Sequence, residues 1–304
     1  MASKRIKLVC YEVLPSDQKL TKINDFVDDL SKALSAGKIN DRCRQLSDLA
    51  VEGEQEFITK RIQNSVGLFC TFIHLKSGGA VLINKSLMHE NEISLEELAA
   101  IEEENTEGYI KDYTYFLLTK KMLIAKTTMG IPSSDIEIYL NWLLKRNHTK
   151  YASKNSVLTL KPRLKKTFDP TTVGSIELGN NVKIGEKVTV DTVVRPVVKG
   201  LENFLKAQGL DKIVTGKVVE ASVVLKIIKP PKKDEVKNRK ALQSILKAVK
   251  SDETIIKDRR GQIIHMESVK ETKEVSVPYL ATGFPDVAVL EDRMLQYYDE
   301  VLTR

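Results

Sequence analysis

Two stretches of the chain show the pattern of a β-hairpin, and they restrict the fold more than any other feature. The first runs from Gly67 to Asn84 around Ser77-Gly78-Gly79, where glycine supplies the positive φ of a tight turn. The second runs from Tyr113 to Thr128, with Lys120 and Lys121 at its tip. The glycine pair therefore predicts a turn and not a phosphate-binding loop, and the motifs of P-loop and Rossmann nucleotide binding are missing.

Helical periodicity surrounds these hairpins. Apolar residues recur at three-and-four spacing in one segment that ends at Gly37 and in a second that begins at Ser133 and Ser134. The buried faces that this spacing predicts consist of Ile23, Phe26, Val27, Leu30 and Leu34 in the first helix, and of Ile136, Tyr139, Leu140, Leu143 and Leu144 in the second. Ser94 and Glu97 form the pattern of a capping box at the start of a short acidic helix.

The C-terminal half is mostly β in pattern. The predicted strands are Val157 to Leu160, Val173 to Leu178, Lys187 to Val194 and Ile213 to Ile228, followed by a hairpin around Asp258-Arg259-Arg260-Gly261. The predicted helices are Pro196 to Gln208, Glu235 to Val249 and Pro285 to Leu302; the last of these would pack on its own sheet or across a dimer. We expect an α+β protein of two domains: residues 1–150, mixed α/β with hairpins, and residues 151–304, a mostly antiparallel sheet with flanking helices.

Charge is distributed unevenly between these halves. Residues 1–150 carry 20 Lys and Arg against 21 Asp and Glu, whereas residues 151–304 carry 28 against 20. Within residues 161–260 the counts are 23 against 12. A positive field of this kind attracts phosphates, although scattered lysines also serve solubility alone. The basic residues form two clusters, which are Lys161, Arg163, Lys165 and Lys166, and Lys229, Lys232, Lys233, Lys237, Arg239 and Lys240.

Catalytic and metal-binding patterns are weak. Cys10, Cys43 and Cys70 are odd in number and widely spaced, which favours buried free thiols over disulfides or a zinc site. The acidic run from Glu96 to Glu107 predicts a solvated helix face rather than a metal site. We therefore expect a binding protein and not an enzyme, with no cofactor and no metal. The sequence shows neither a membrane-spanning segment nor a signal peptide, so a cytoplasmic location is expected.

Lysine dominates the basic clusters, and lysine meets phosphate as a point charge without the bidentate base recognition of arginine. This favours a sequence-nonspecific interface with the backbone of double-stranded DNA. Three alternative functions remain. An RNA- or ribosome-binding factor, or an adaptor for an acidic protein, would use the same basic residues. A metal-dependent nuclease would use His148, His265 or the Glu96 to Glu107 segment. The low aromatic content of 6% disfavours single-strand recognition, which uses stacking on aromatic rings.

The chain from Tyr113 to its end resembles the RexA-type exclusion proteins of temperate phages, because several segments occur in the same order. These segments are Tyr115 to Leu118, Leu123 to Thr128, Gly130 to Asp135, Leu158 to Arg163, Val224 to Pro230, and the C-terminal helix with Arg293, Met294 and Tyr297. None of them is a catalytic signature. Residues 30 to 110 match the family poorly.

The resemblance implies a homodimeric, two-domain, DNA-binding sensor of phage replication or recombination that acts with a separate membrane effector. It also implies that the basic segment after the Val224 strand is the main DNA contact, with the residues Lys229, Lys232, Lys233, Lys237, Arg239 and Lys240. Lys161, Arg163, Lys165 and Lys166 join this candidate interface on charge alone.

Overall fold

A computed structural model describes residues 3–16, 23–46, 55–76, 89–95, 97, 109–126, 131–178, 223–226, 239, 242, 243, 246 and 255–303. The chain divides into two compact units. Unit 1 comprises Met1–Pro162 and Thr272–Arg304, and unit 2 comprises Arg163–Glu271. The fold class is α+β, as the sequence predicts.

Unit 1 is built on one antiparallel sheet. Its strands are β1 (Ser3–Pro15), β2 (Arg44–Gln45), β3 (Gln55–Gln63), β4 (Gly67–Lys76), β5 (Tyr109–Thr119), β6 (Met122–Lys126), β7 (Leu158–Pro162) and β12 (Thr272–Pro278). The order is β12-β1-β6-β5-β4-β3-β2. In addition to these neighbours, β1 pairs with β7. The predicted hairpin of Tyr113 to Thr128 is confirmed by β5 and β6. The turn predicted at Ser77-Gly78-Gly79 lies outside the described residues.

Strand β1 organises one side of the sheet. Ser3 to Val9 pair with β12, and Tyr11 to Pro15 pair with β7. Residues Leu8 to Glu12 also pair with β6. Both β7 and β12 therefore belong to unit 1. The sequence instead predicts that residues 151–162 and 272–304 belong to the C-terminal domain. The pairing of β1 with β12 joins residues more than 250 positions apart, and no local sequence pattern indicates such a pairing.

Helices cover both faces of the sheet. They are α1 (Ile23–Ala36), α2 (Ser133–Asn147), α3 (Thr149–Ala152) and α5 (Val287–Thr303), and a 3-10 helix spans Asn40–Arg42. The side chains of α1 and α2 form one core with Phe72, Phe116 and Leu123. Those of α5 form the second core with Leu8, Tyr115 and Ile124. The predicted face of α2 is buried throughout, and the C-terminal helix packs on its own sheet through Leu290, Met294, Tyr297 and Val301.

Unit 2 contains a smaller antiparallel sheet. Its strands are β8 (Val173–Leu178), β9 (Val223–Lys226), β10 (Ile255–Asp258) and β11 (Ile263–Ile264), in the order β11-β10-β8-β9. A short helix, α4 (Met266–Val269), follows β11. The bounds of β8 match the prediction, and the hairpin at Asp258 to Gly261 is confirmed. The predicted helix Pro196 to Gln208 and strand Lys187 to Val194 lie outside the described residues, as does most of Ile213 to Ile228.

The two ends of unit 2 form an antiparallel stem. The amide of Glu271 donates to the carbonyl of Arg163 at 2.7 Å, and that of Lys165 donates to Val269 at 2.9 Å. Leu164 and Lys270 form a β-bridge between them. Unit 2 is thus an insertion between β7 and β12. None of the helices in the described ranges has the length and hydropathy required to cross a bilayer.

A buried guanidinium connects the elements of unit 1. Arg42 is 1% exposed. Its Nη1 donates to Leu34 O at the end of α1, its Nε donates to Ile58 O, and its Nη2 donates to Thr59 O and Asn91 O. Register shifts between Ile58 and Lys60, so the bulge of β3 directs these carbonyls away from the ladder. Arg42 supplies their hydrogen bonds.

We expect Arg42→Met to lower the free energy of unfolding by about 3 to 5 kcal/mol, because methionine leaves buried carbonyls without a donor. Urea denaturation measures this change. The control is Arg5→Met, because Arg5 has an 86% exposed side chain and should change stability by less than about 0.5 kcal/mol. Equal effects of the two substitutions would contradict this role of Arg42.

Glu56 on β3 is also buried, with 1% exposure. Burial raises its pKa to about 7, although the guanidinium of Arg44, whose Nη1 donates to Glu56 Oε2 at 2.9 Å, opposes the shift. The ordinary value is 4.5. The folded protein therefore binds this proton more tightly than the unfolded chain does. The resulting stabilisation is complete below pH 4.5 and is lost as the pH rises through about 7.

Glu56→Gln should remove this titration. Between about pH 5 and pH 8, the free energy of unfolding of the natural protein should fall relative to the variant by about 2 to 3 kcal/mol. Denaturant titrations at several pH values measure the difference. Parallel pH profiles would show that Glu56 does not titrate in this range.

Candidate nucleic-acid interface

Only some of the predicted interface residues are among the described residues, and these belong to different units. Arg239 is described, whereas Lys229, Lys232, Lys233, Lys237 and Lys240 lie outside the described residues. Lys161 is on β7 of unit 1, in register with Glu12. Arg163, Lys165 and Lys166 belong to unit 2. The first cluster of the sequence analysis is therefore divided between the two units.

A turn at Asp169 is the centre of the candidate site. Asp169 caps a 3-10 helix, Pro170–Thr172, and its carboxylate accepts from the Thr171 amide at 3.1 Å and the Thr171 hydroxyl at 2.8 Å. These hydrogen bonds, followed by the charge of Arg239, lower the pKa of Asp169. The turn therefore carries an ionised carboxylate that already has protein partners.

Arg239 reaches this turn from a helical segment. Arg239, Leu242, Gln243 and Leu246 are helical, and Leu242 and Leu246 are buried. Positions 239, 242 and 246 follow the spacing of one helix face. Leu246 packs with Val173, Ile176 and Ile256, so the same face that enters the core of unit 2 carries Arg239. The guanidinium lies 3.9 Å from the Asp169 carboxylate and remains 52% exposed.

The β10–β11 hairpin contributes two further arginines. Asp258 Oδ1 accepts from the amides of Arg260 and Gln262, each at 2.8 Å, and Gly261 has a φ of 82°. Arg259 is exposed, yet its Nε donates to Thr171 O at 2.9 Å and its amide donates to Thr172 O at 3.2 Å. The hairpin tip is thereby fixed to the Asp169 turn. Arg260 is the exposed residue beside it.

Lys165 and Lys166 lie on the chain directly before this turn. Leu164 and Phe168 pack against the core of unit 2, and the Phe168 amide donates to Lys165 O at 3.0 Å. Lys166 is exposed, and Lys165 is half-buried. The two lysines are therefore held on a tight turn between two partly buried anchors.

We call Lys165, Lys166, Arg239, Arg259 and Arg260 the basic cluster. Three segments of the chain supply it, and they meet at the Asp169 turn. The two carboxylates beside it, Asp169 and Asp258, are occupied by the hydrogen bonds that shape the turn and the hairpin. Charged guanidinium groups with fixed positions and ammonium groups on longer stems suit the oxygens of phosphate.

The arginines of the hairpin were not predicted as site residues. The sequence predicts that Arg259 and Arg260 lie in a turn. Two adjacent arginines form too short a run to stand out as a basic cluster. Their adjacency at an exposed hairpin tip was the one available signal. Their proximity to Arg239 arises from the pairing of β10 with β8.

Two of the residues of the nuclease alternative, Glu97 and His148, have structural partners. Ser94 and Glu97 form the predicted capping box, with hydrogen bonds of 2.7 and 3.1 Å. The Nε2 of His148 lies 3.0 Å from Asp29 O. Within the described ranges, no group of three or more His, Cys, Asp or Glu could hold a metal ion. All three cysteines are buried thiols that form no disulfide, as predicted, and burial raises the pKa of Cys43 and Cys70 to about 12.

Comparison with known proteins adds no relative: no family model matches the chain, and no curated protein matches it significantly.

The hairpin depends on a close approach at Gly174. A Cβ at this position would lie 2.5 Å from Asp258 O and 2.9 Å from Arg259 Cα. We expect Gly174→Ala to displace the hairpin and to destabilise unit 2 by about 2 to 3 kcal/mol. Thermal unfolding measures the loss.

Gly261→Asn is the matched glycine control. A Cβ at Gly261 meets nothing within 4 Å, and asparagine tolerates a positive φ, so the cost should stay below about 1 kcal/mol. If the control costs as much as Gly174→Ala, the close approach at Gly174 is not what fixes the hairpin.

Proposed function

We propose that the protein binds double-stranded DNA without sequence specificity, through the basic cluster and the predicted basic segment Lys229 to Lys240. The observation that carries this proposal is the convergence of Lys165, Lys166, Arg239, Arg259 and Arg260 at the Asp169 turn. Residues separated by up to 95 positions supply five positive charges around this turn, against the two carboxylates of Asp169 and Asp258. A solubility surface requires no such convergence.

The charge of the two units supports the same proposal. Unit 2 carries 23 Lys and Arg against 14 Asp and Glu, a net charge of +9, whereas unit 1 carries 25 against 27, a net charge of −2. The difference in net charge between the two observed units is therefore larger than the difference between residues 1–150 and residues 151–304. A unit with this excess attracts a polyanion and gains affinity through counterion release.

The geometry of the arginines favours contact with the DNA backbone. Arg259 donates a hydrogen bond through Nε to Thr171 O at 2.9 Å, whereas Arg239 lies 3.9 Å from the Asp169 carboxylate, at the distance of an ion pair. A guanidinium has five donors, so one such bond orients it and leaves donors for phosphate oxygens. Backbone contacts of this kind position a protein on DNA and carry no sequence information.

The biological role in the proposal comes from the resemblance alone. It comprises a sensor in phage exclusion, a homodimer and a separate membrane effector; the non-enzymatic character and the cytoplasmic location are expected from the sequence itself. Each remains a prediction. A dimer would present two copies of the cluster, so dimerisation and DNA affinity would be linked.

Binding to random-sequence duplex DNA at several salt concentrations tests the proposal. With about six phosphates neutralised, the logarithm of affinity should fall with the logarithm of salt at a slope near −5. A variant with glutamine at all five positions of the basic cluster should reduce the magnitude of this slope by about 3 to 4. A second variant with glutamine at Lys229, Lys232, Lys233, Lys237 and Lys240 measures the share of the predicted segment.

The matched control removes five positive charges from unit 1, at the exposed residues Arg5, Lys32, Lys38, Lys120 and Lys121. Its slope should equal that of the natural protein, because the proposal assigns the phosphate contacts to unit 2. The absence of duplex binding at low salt, or equal losses in the control and the cluster variant, would refute the proposal. Preference for structured RNA over duplex in competition would favour the RNA-binding alternative.

A further inference from the structure

Two large apolar side chains are exposed on unit 2, close to the basic cluster. Ile255 on β10 is 42% exposed, and Ile263 on β11 is 57% exposed. In the described part of unit 2 these are the exposed large hydrophobic residues; the others, Ile138 and Leu302, are on helices of unit 1. Exposed isoleucine costs hydration free energy, so a pair of them on one hairpin calls for an explanation.

The register places both isoleucines on the same face of the sheet. Lys257 pairs with Ile263, and Ile256 pairs with Ile264. Ile256 is completely buried and packs in the core of unit 2, together with Ile264. Because side chains alternate along a strand, Ile255, Lys257 and Ile263 occupy the opposite, outer face. Lys257 lies between the two isoleucines, and its ammonium is 2.6 Å from Glu177 Oε1.

The outer face leads directly to the fixed tip of the hairpin. Its arginines, Arg259 and Arg260, stand four and three residues before Ile263. The Asp258 carboxylate and Gly261 determine the shape of the turn, and β11 is the edge strand of its sheet. Ile263 is therefore exposed on the outermost described strand of this sheet, directly after a hydrogen-bonded turn that carries two arginines.

We propose that this hairpin is a wedge: it enters the minor groove of duplex DNA, presses Ile263 and then Ile255 against a base step, and kinks the duplex. The inference rests on the proposed function and adds to it a preference for bent or bendable DNA. Arginines beside apolar wedges are suited to this task, because the arginines bind the groove and the phosphates while the wedge unstacks the bases.

Charge selects DNA over a protein as the occupant of this face. The charges of Glu177 and Lys257 balance each other, and Arg259 and Arg260 exceed the one carboxylate of Asp258, so the hairpin keeps a net charge of +1. An apolar protein surface would leave these two arginines without anionic partners. A duplex supplies both the phosphates and, once a step opens, the apolar faces of the bases.

The test uses a duplex of about 25 base pairs with a fluorescent donor and acceptor at its ends, and a second duplex that contains an unpaired bulge. Bending the straight duplex should bring its ends together and raise energy transfer at saturation. The bulged duplex is already kinked, so it should bind about fivefold or more tightly than the straight one.

The test variant combines Ile255→Thr and Ile263→Thr, which keep a β-branched side chain in each strand and shorten the apolar group. It should still bind, with no rise in energy transfer and an affinity ratio near one. The control combines Ile138→Gln and Leu302→Gln, which remove the exposed apolar groups of unit 1, and it should behave as the natural protein does. Circular dichroism of both variants shows that they fold.

Each other outcome is decisive. DNA binding by the natural protein without bending, or bending that persists in the threonine variant, overturns the wedge and leaves the proposed function intact. Absence of DNA binding removes the proposed function itself. Polyglutamate binding as tight as duplex binding, and lost in the threonine variant, assigns the face to an acidic protein segment and overturns the proposal.

Discussion

The buried guanidinium of Arg42 is the constraint on which the architecture of unit 1 depends. Its donors satisfy carbonyls from the end of α1, from the bulge of β3 and from Asn91, while its own carbonyl accepts from the Tyr139 hydroxyl of α2 at 2.8 Å. The Ile58 amide donates to that hydroxyl at 3.2 Å. The guanidinium is thus compensated by carbonyl dipoles. Since the four acceptors come from three places, the end of α1, the bulge of β3 and Asn91, these segments must be in place together, which makes this region cooperative.

Local patterns predicted much of the fold, and long-range pairing explains what they did not predict. The buried face of α2, the bounds of β8 and the hairpin at Gly261 follow from periodicity and turn chemistry within a few residues. The position of β12 beside β1 depends on two segments at opposite ends of the chain. Strand β3 escaped prediction because it mixes charged with apolar residues and contains a bulge, which interrupts the alternation that identifies a strand.

The same distinction applies to the candidate site. Runs of basic residues along the sequence identified Lys165, Lys166 and Arg239. They missed Arg259 and Arg260, whose place beside the Asp169 turn results from antiparallel pairing of β10 with β8 and from the hydrogen bond to Thr171. They also joined Lys161 to Arg163, although the boundary between the two units falls between these residues. Residues that are close along the chain therefore need not share one surface, and residues that are far apart along the chain can lie together.

The basic cluster combines two kinds of charge that bind phosphate with different entropic costs. The guanidinium of Arg259 is anchored by a hydrogen bond to a backbone carbonyl, so part of its rotamer freedom is already lost when the protein folds, and that of Arg239 is restrained more weakly, by an ion pair at 3.9 Å. The ammonium of the exposed Lys166 lies at the end of a flexible stem, and a phosphate must order it on binding. Preorganised groups lose less entropy in the complex. The anchored arginines should therefore contribute more affinity per charge than the lysines, and the lysines should contribute mainly to attraction at longer range.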